Sequence, residues 1–153
     1  MKVDQIITIT KSVEIEILDV ALLSKEEYEK CKEYIPPLDE WWWLRSQGSD
    51  DDYVVFVYGY NGRVDGDGID VNYTYGVRPS LFILKSPFLR IGDTFKLAGY
   101  MWTVIDETIA LCDSYIGKSC FRKDWKAEDA NMYEASDVKK YIEDWAKENN
   151  LIY

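Results

Sequence analysis

The side chains best suited to chemistry or binding are concentrated between residues 40 and 80. Tyrosines stand there among small polar and acidic residues, and such tyrosines offer a large contact area at a low cost in conformational entropy. This composition is typical of adaptable protein-binding surfaces. A purely structural ladder of tyrosines on neighbouring strands is the open alternative. The sequence predicts a partner-binding surface made of Tyr53, Tyr58, Tyr60, Asn61, Arg63, Asp65, Asp67, Asp70, Asn72 and Tyr73.

Six aspartates fall in two stretches of this region, 50–52 and 65–70, which we expect to be loops that converge. An EF-hand loop that began at Asp65 would need a bidentate glutamate at its twelfth position, where Gly76 stands. A lectin-style calcium site stays open, and solvated turn aspartates are the default interpretation. We therefore predict no metal and no cofactor.

Two arginines and three tryptophans have both a binding and a structural interpretation. Arg45 and Arg78 could bind an anion through their guanidinium forks, and the tryptophan run at 41–43 could stack on sugars or bases. Since each arginine lies among bulky apolar residues, we expect both to be structural, held by acidic side chains or backbone carbonyls. Trp42 and Trp43 are likewise predicted to be core residues, which leaves Trp41 as the one ring of the run that could be exposed.

Enzymatic function is not predicted. The sequence has no histidine, which removes the side chain most often used for proton transfer near neutral pH. It also has no Gly-x-Ser-x-Gly elbow and no glycine loop that could hold phosphate. The predicted class is a non-enzymatic binding protein, without catalytic residues.

Charge limits the choice of partner. Asp and Glu number 28 against 18 Lys and Arg, so the net charge is -10, and a field of that sign repels nucleic acid and anionic lipid. We therefore expect a protein partner and no direct contact with nucleic acid or membrane. An acidic inhibitor that mimics nucleic acid in a host nuclease, as anti-CRISPR proteins do, is an alternative, although the charge is spread evenly along the chain. The oligomeric state is left open.

A chain of 153 residues with 47% hydrophobic residues predicts one domain over 1–153, with a possible internal seam near 85–91. Cys31, Cys112 and Cys120 leave one thiol without a partner under any single pairing and show no CxxC spacing. A redox pair of Cys112 and Cys120 is the less favoured interpretation. The absence of a disulfide pattern and of a signal segment favours a cytoplasmic location.

The predicted fold class is α+β, with an antiparallel β-rich core and two short helices, near 24–34 and 136–149. Ser24 and Glu27 form a capping-box pattern for the first helix. Ser136 caps the second, whose apolar stripe is predicted to be Val138, Tyr141, Ile142 and Trp145.

Strands are expected at 1–10, at 13–23 and throughout 40–84, with the strand at 41–46 central in its sheet. The Asn-Gly pair at 61–62 predicts a hairpin, and 65–68 is expected to be a loop. Residues 92–112 predict a meander that turns at Ala98-Gly99.

Two separated motifs carry a family resemblance. Residues 42–46 (WWLRS) are followed, after about thirty residues that include the Asn-Gly hairpin, by residues 76–81 (GVRPSL). This arrangement resembles a family of uncharacterised domains common in gut Firmicutes, their prophages and other mobile elements, whose signature is WWLRSPG followed by GVRPAL. The chain departs from that signature at Gln47 and Ser80, where the family has proline and alanine.

The second half is also similar to that family, in Ile91-Gly92-Asp93, in the Trp102 strand and in the helix start at 133–138. In longer relatives a similar block precedes the WWLRS region, so the two halves look permuted here. The resemblance implies a fold similar to C-type lectins and formylglycine-generating enzymes, without the catalytic cysteines of the latter. It favours a recognition module of a phage or mobile element, with a carbohydrate-binding lectin-like domain as a further alternative.

Overall fold

The computed structural model describes residues 2–6 and 11–152 and shows an α+β fold, mostly of antiparallel strands, with two α-helices. The predicted strand at 1–10 is seen over Lys2–Ile6, and residues 7–10 lie outside the described residues. The helices are α1 (Lys25–Cys31), which continues as a 3-10 turn over Lys32–Tyr34, and α2 (Asp137–Glu148). The strands are β1 (Lys2–Ile6), β2 (Lys11–Glu14), β3 (Ile17–Ala21), β4 (Trp42–Gln47), β5 (Tyr53–Val57), β6 (Val64–Asp70), β7 (Thr74–Val77), β8 (Ser80–Ile83), β9 (Thr94–Leu97), β10 (Tyr100–Asp106), β11 (Ile109–Cys112) and β12 (Gly117–Cys120).

The larger sheet has seven strands in the order β2-β1-β9-β10-β11-β8-β3. The predicted meander is confirmed as β9–β11, and its first turn has left-handed backbone at Ala98 (φ 55°) and Gly99 (φ 79°), as a two-residue hairpin turn requires. The outer strands β2 and β3 are separated in sequence by only Ile15 and Glu16. A flat seven-stranded sheet would hold them about 29 Å apart, and so short a link spans only about 10 Å. The sheet must therefore curl until its two edges are close.

The smaller sheet has five strands in the order β12-β7-β4-β5-β6, so β4 is central as predicted. Its neighbours are antiparallel except for β4 and β7, which run parallel with Trp42 opposite Gly76. The Gly76 amide also donates to the Trp41 carbonyl at 2.9 Å. The two sequence motifs at 42–46 and 76–81 are therefore neighbours in space.

The side chains of β4 alternate between two buried clusters, as the period of a strand predicts. Trp43 belongs to the main core, which includes residues from Val3 to Leu151 and so draws on both sides of the seam near 85–91. Trp42 and Leu44 point into a second cluster with Tyr28 and Cys31 of α1. The predicted capping box of α1 is confirmed, since Ser24 Oγ accepts from the Glu27 amide and the Glu27 carboxylate accepts from the Ser24 amide.

Two predictions about strands were wrong. The single strand expected at 13–23 is two strands, β2 and β3, which lie at opposite edges of the larger sheet. The loop expected at 65–68 belongs to strand β6, since an edge strand needs hydrogen bonds on one side only and tolerates Asp and Gly. Gly68 (φ 82°) takes up a bulge there, where a Cβ atom would lie 2.6 Å from the Val54 carbonyl.

Two further features differ from the expectation. Strand β12 was not predicted, because its sequence, Gly-Lys-Ser-Cys, has no apolar alternation. On α2 the buried stripe is Val138, Ile142 and Ala146. Tyr141 is 36% exposed, so its place in the predicted stripe was wrong, and Trp145 is half-buried against Tyr100 and Trp102.

Candidate functional site

The predicted hairpin is confirmed as β5 and β6, and its turn is held in one conformation. The Tyr58 amide donates to the Arg63 carbonyl and the Gly62 amide donates to the Tyr58 carbonyl, each at 2.8 Å. The Asn61 side-chain oxygen accepts from the Arg63 amide at 2.9 Å, which closes an Asx turn. From α1, the Tyr28 hydroxyl donates to the Gly62 carbonyl at 2.6 Å. The turn is therefore fixed from within and by the helix beside it.

Five rings form a continuous row across the smaller sheet, which we call the aromatic ridge. Consecutive ring centroids along it lie 6.4, 4.8, 5.4 and 6.3 Å apart. The two ends of the ridge are open to solvent, with Tyr60 73% and Tyr73 49% exposed. In order, the ridge consists of Tyr60, Tyr58, Trp41, Tyr75 and Tyr73.

The middle of the ridge rests on the core. Trp41 stacks on Phe56 with centroids 5.2 Å apart, and Tyr75 lies 4.9 Å from the buried ring of Trp43. Trp43 is itself anchored, because its indole nitrogen donates to the Ser119 carbonyl at 2.9 Å. The inner rings therefore form a structural ladder, and the outer two present exposed phenols.

Tyr58 has a defined hydrogen-bonding role. Its hydroxyl donates to Oδ2 of Asp65 at 3.1 Å, and the other oxygen of Asp65 accepts from the Asp67 amide. Burial, followed by the hydrogen bond to the Asp65 carboxylate, raises the pKa of Tyr58, so the phenol stays neutral at physiological pH. Tyr58 and Asp65 thus hold the hairpin in place rather than pointing free groups at a partner.

The ten predicted partner-binding residues fall into two groups at opposite ends of the β5–β6 hairpin. Tyr58, Tyr60, Asn61, Arg63 and Asp65 surround the turn. Tyr53 and Asp70 face each other at the open end, beside the exposed Asn72 and Tyr73, while Asp67 lies between the groups. The neighbouring Asp70 carboxylate raises the pKa of Tyr53. The aromatic ridge runs from one group to the other.

The ridge also contains two rings that the sequence prediction left out, Trp41 and Tyr75. The signal that could have identified them is the alternation of β4 and β7, which places each on the same face of the sheet as Tyr58. The structure adds a cavity of about 230 Å³ beside this pair, with Glu40, Thr74 and Lys118 on its walls. The sequence offered no sign of that cavity.

Arg45 joins α1 to β4. Its guanidinium donates to the Glu27 carboxylate and to the Leu22 carbonyl, which agrees with the predicted structural role. Burial opposes ionisation of Glu27, but the hydrogen bonds from Arg45 and the Ser24 amide outweigh it and lower the pKa of Glu27.

Arg78 is fully buried and is held by backbone carbonyls and by a ring. Its Nε donates to the Cys112 carbonyl at 2.7 Å and its Nη2 to the Pro36 carbonyl at 2.8 Å, while the guanidinium carbon lies 4.9 Å from the Trp42 ring centroid. Acidic side chains or backbone carbonyls were the predicted partners of Arg78, and the structure shows the carbonyls. Within the described residues no carboxylate lies within 4.0 Å of it.

The structure limits metal and thiol chemistry in the part of the chain that it describes. In 2–6 and 11–152, no group of three or more Asp, Glu or Cys side chains is placed to hold a metal ion. The two aspartate segments are nevertheless neighbours, since the Ser49 amide donates to the Asp67 carbonyl at 2.8 Å and the Val71 amide to the Asp52 carbonyl at 2.9 Å. Burial raises the pKa of Cys112 to about 12, which leaves its thiol unreactive. No helix of the described residues is long and apolar enough to span a bilayer.

Another cavity lies away from the predicted surface. Its volume is about 650 Å³, and it is bounded by the β2–β3 link, by the seam near 85–91 and by Leu151. Phe88, 63% exposed, stands at its wall. The comparisons of the chain with protein-family models, curated proteins and solved structures give no match.

Proposed function

We propose that this protein is a non-enzymatic recognition module that binds a protein partner through the exposed ends of the aromatic ridge and through the β5–β6 turn, which carries the Tyr60 end. The observation that carries the proposal is the ridge itself, a row of five rings with large exposed phenols at each end and a rigid base. Tyrosine is enriched where proteins bind other proteins, because its ring offers a large apolar area and its hydroxyl a hydrogen bond.

Preorganisation supports this surface as a binding site. The turn is fixed by three backbone or side-chain hydrogen bonds and by Tyr28, so little conformational entropy would be lost when a partner binds. The central rings rest on Phe56 and Trp43, and cannot collapse onto one another when the outer tyrosines make contacts. A rigid aromatic row flanked by polar groups has the composition expected of an interface centre and its rim.

The experiment is an affinity capture with a double variant, Tyr60→Ser with Tyr73→Ser. Both side chains are exposed, so we expect the variant to fold like the parent protein and to lose at least tenfold in affinity for a partner that the parent captures. Tyr58 is left unchanged, because its hydrogen bond to Asp65 makes it part of the fold. Undiminished capture by the double variant would contradict the proposal.

Tyr34→Ser is the matched control. Tyr34 is 42% exposed, carries the same chemical group, and lies on the 3-10 turn after α1, outside the aromatic ridge. We expect this control to capture the partner as well as the parent does. Equal losses in the control and in the double variant would mean that general surface stickiness, and not the ridge, accounts for capture.

The resemblance of the two motifs extends the proposal to origin and fold. We propose a lectin-like arrangement of the two sheets and a role in a phage or mobile element within the cytoplasm. The side-by-side position of the motif segments supports the view that they act as one unit, because Arg78 of one lies on Trp42 of the other. An acidic inhibitor of a host nuclease stays an alternative, although Asp65 is already occupied by Tyr58 and the Asp67 amide.

Carbohydrate binding is a second candidate, favoured by the cavity of about 230 Å³ beside Trp41 and Tyr75. Sugars pack on aromatic faces while carboxylate and hydroxyl groups accept or donate to their hydroxyls. Glu40 and Thr74 supply such groups at the cavity wall. A screen of immobilised glycans with the parent and with Thr74→Val tests this candidate: retention that is equal for both, or absent for both, would contradict it.

A further inference from the structure

A further cavity lies between α1 and the β5–β6 turn. Its volume is about 290 Å³, and it is enclosed by α1 with its 3-10 extension, by residues 35–38 and by the turn. The buried residues Trp42, Val57 and Arg78 form its inner end, and the exposed Lys32 and Tyr60 form its rim. Among the described residues on its wall, none is acidic, although the chain holds 28 acids.

Arg78 at the inner end has an unsatisfied group. Its Nε and Nη2 are used by two carbonyls, but Nη1 has no hydrogen-bond partner and exposes less than 1 Å². A buried guanidinium nitrogen without an acceptor is costly to the fold. Asp113, whose charge acts on Arg78, accepts a hydrogen bond from Thr103 at 2.6 Å and forms no ion pair with Arg78. Burial lowers the pKa of Arg78 to about 10, so the group is still charged at neutral pH.

A second cation stands where an anion would enter. The Cε atom of Lys32 lies 3.8 Å from the position that a Cβ atom on Gly62 would occupy, which places the Lys32 chain beside the turn at the rim. Within the described part of the chain Lys32 forms no ion pair. Tyr28 also lines the cavity, and its neutral hydroxyl donates to the Gly62 carbonyl. Tyr28 therefore does not offset the positive charges of Arg78 and Lys32.

We propose that this cavity binds a carboxylate, with Nη1 of Arg78 as the inner donor and Lys32 as the rim cation. One free nitrogen on Arg78 suits a singly charged acceptor better than a phosphate dianion, which the net charge of -10 would also repel more strongly. A volume of about 290 Å³ is at the small end of ligand sites and excludes a nucleotide. Nη1 exposes less than 1 Å², so the groups that cover it must shift when the carboxylate enters. The cavity shares Tyr60 with the aromatic ridge, but its two proposed cations, Arg78 and Lys32, lie outside the ridge.

The first test is a titration with sodium acetate against sodium chloride at equal ionic strength. Trp42 lies against the Arg78 guanidinium, so we expect acetate to change tryptophan emission and to raise the melting temperature with a saturable, millimolar dependence. Identical curves in the two salts would overturn the proposal. Inorganic phosphate that binds more tightly than acetate would overturn the assignment to a carboxylate.

Matched lysine variants locate the effect. Lys32→Gln is expected to weaken acetate binding about two- to fivefold, the range of an exposed charge pair. Lys30→Gln makes the same change on α1, outside the cavity, and is expected to leave binding unchanged. Equal affinities in the two variants would overturn the proposal, and this comparison holds even if Arg78→Lys fails to fold. Where Arg78→Lys folds, we expect binding to fall at least tenfold.

The last arm identifies the source of the carboxylate. N-acetyl-triglycine carries the free carboxylate of a chain end, and its C-terminal amide lacks it. Tighter binding of the acid than of both its amide and acetate supports the chain end of a polypeptide as the source. Acetate that binds while the acid does not supports a small free acid. Binding of the amide as tight as that of the acid would overturn the role of the carboxylate.

Discussion

Replacing Trp42 by alanine should destabilise the protein more than the same change at its neighbour Trp41. Trp42 is 1% exposed, packs edge-on against Tyr28 with centroids 5.6 Å apart, and supports the Arg78 guanidinium. Emptying a buried tryptophan site costs about 3–5 kcal/mol. Since Arg78 also loses its ring contact, worth about 1–2 kcal/mol in a desolvated site, we expect Trp42→Ala to fall at the upper end, about 5 kcal/mol.

Trp41 is half-buried on the opposite face of the chain, and its loss removes contacts with three rings without opening a closed cavity. We expect Trp41→Ala to cost about 2 kcal/mol, from aromatic pairs worth about 0.5–1.5 kcal/mol each, partly replaced by water. The expected difference of about 3 kcal/mol corresponds to about 6–12 °C in melting temperature for a chain of this size.

Urea unfolding followed by far-ultraviolet circular dichroism measures both free energies, and it does not depend on the tryptophans that are changed. An unchanged urea slope would show that both variants unfold from the same native state. Equal costs for the two variants, or a larger cost for Trp41→Ala, would refute the assignment of Trp42 to the second buried cluster.

Three further predictions use the same measurements. The pKa of Glu27 is lowered in the folded protein, so its stabilising effect is fully present above the ordinary value of 4.5 and is lost as the pH falls through the lower folded value. Glu27→Gln should therefore be less stable than the parent at pH 7, and the difference in unfolding free energy should narrow below about pH 4.5. A difference that widens in acid would contradict the Arg45 pair. Ile142→Ala should cost about 3 kcal/mol because the side chain is fully buried, and a cost below about 1 kcal/mol in urea would remove α2 from the core. Gly76→Ala should cost about 1–3 kcal/mol, since its Cβ atom would lie 2.6 Å from Cδ1 of Tyr115, and an unshifted melting curve would contradict that close approach.

Much of the fold is predictable because local rules and packing agree. The capping box at Ser24, the Asn-Gly turn and the Ala98-Gly99 turn are specified by residues within four positions of each other. The central position of β4 follows from its two apolar faces. Such elements need no knowledge of distant partners.

The rest depends on contacts that a linear sequence does not display. Strand β12 has polar residues and forms because it can pair with the edge of β7. Strand β6 keeps its pairing despite two glycines because an edge strand needs backbone hydrogen bonds to one neighbour only, here β5. The chain breaks between β2 and β3 at Ile15 because the curled larger sheet brings its two edges together there, and the chain passes from one edge to the other. These are tertiary effects that override local propensity.

The sequence indicates which residues could form the candidate site, but it does not show how they are arranged in space. Tyrosine enrichment points to the hairpin, but composition cannot separate Tyr58, whose hydroxyl is occupied by Asp65, from the exposed Tyr60. Trp41 was identified as the ring of its run most open to solvent, and its contacts with Tyr58 and Tyr75 explain why it is only half-exposed. The unsatisfied Nη1 of Arg78 could not have been predicted, since it depends on which carbonyls reach the other nitrogens.

The most direct test of the recognition proposal is photo-crosslinking with benzoylphenylalanine placed singly at Tyr60, Tyr73 or Tyr34. All three side chains are exposed, so incorporation should leave the fold intact at each position. The account predicts that positions 60 and 73 crosslink to the same partner protein and that position 34 does not. Crosslinks to that partner from position 34 alone, or equal yields from all three positions, would contradict binding at the aromatic ridge.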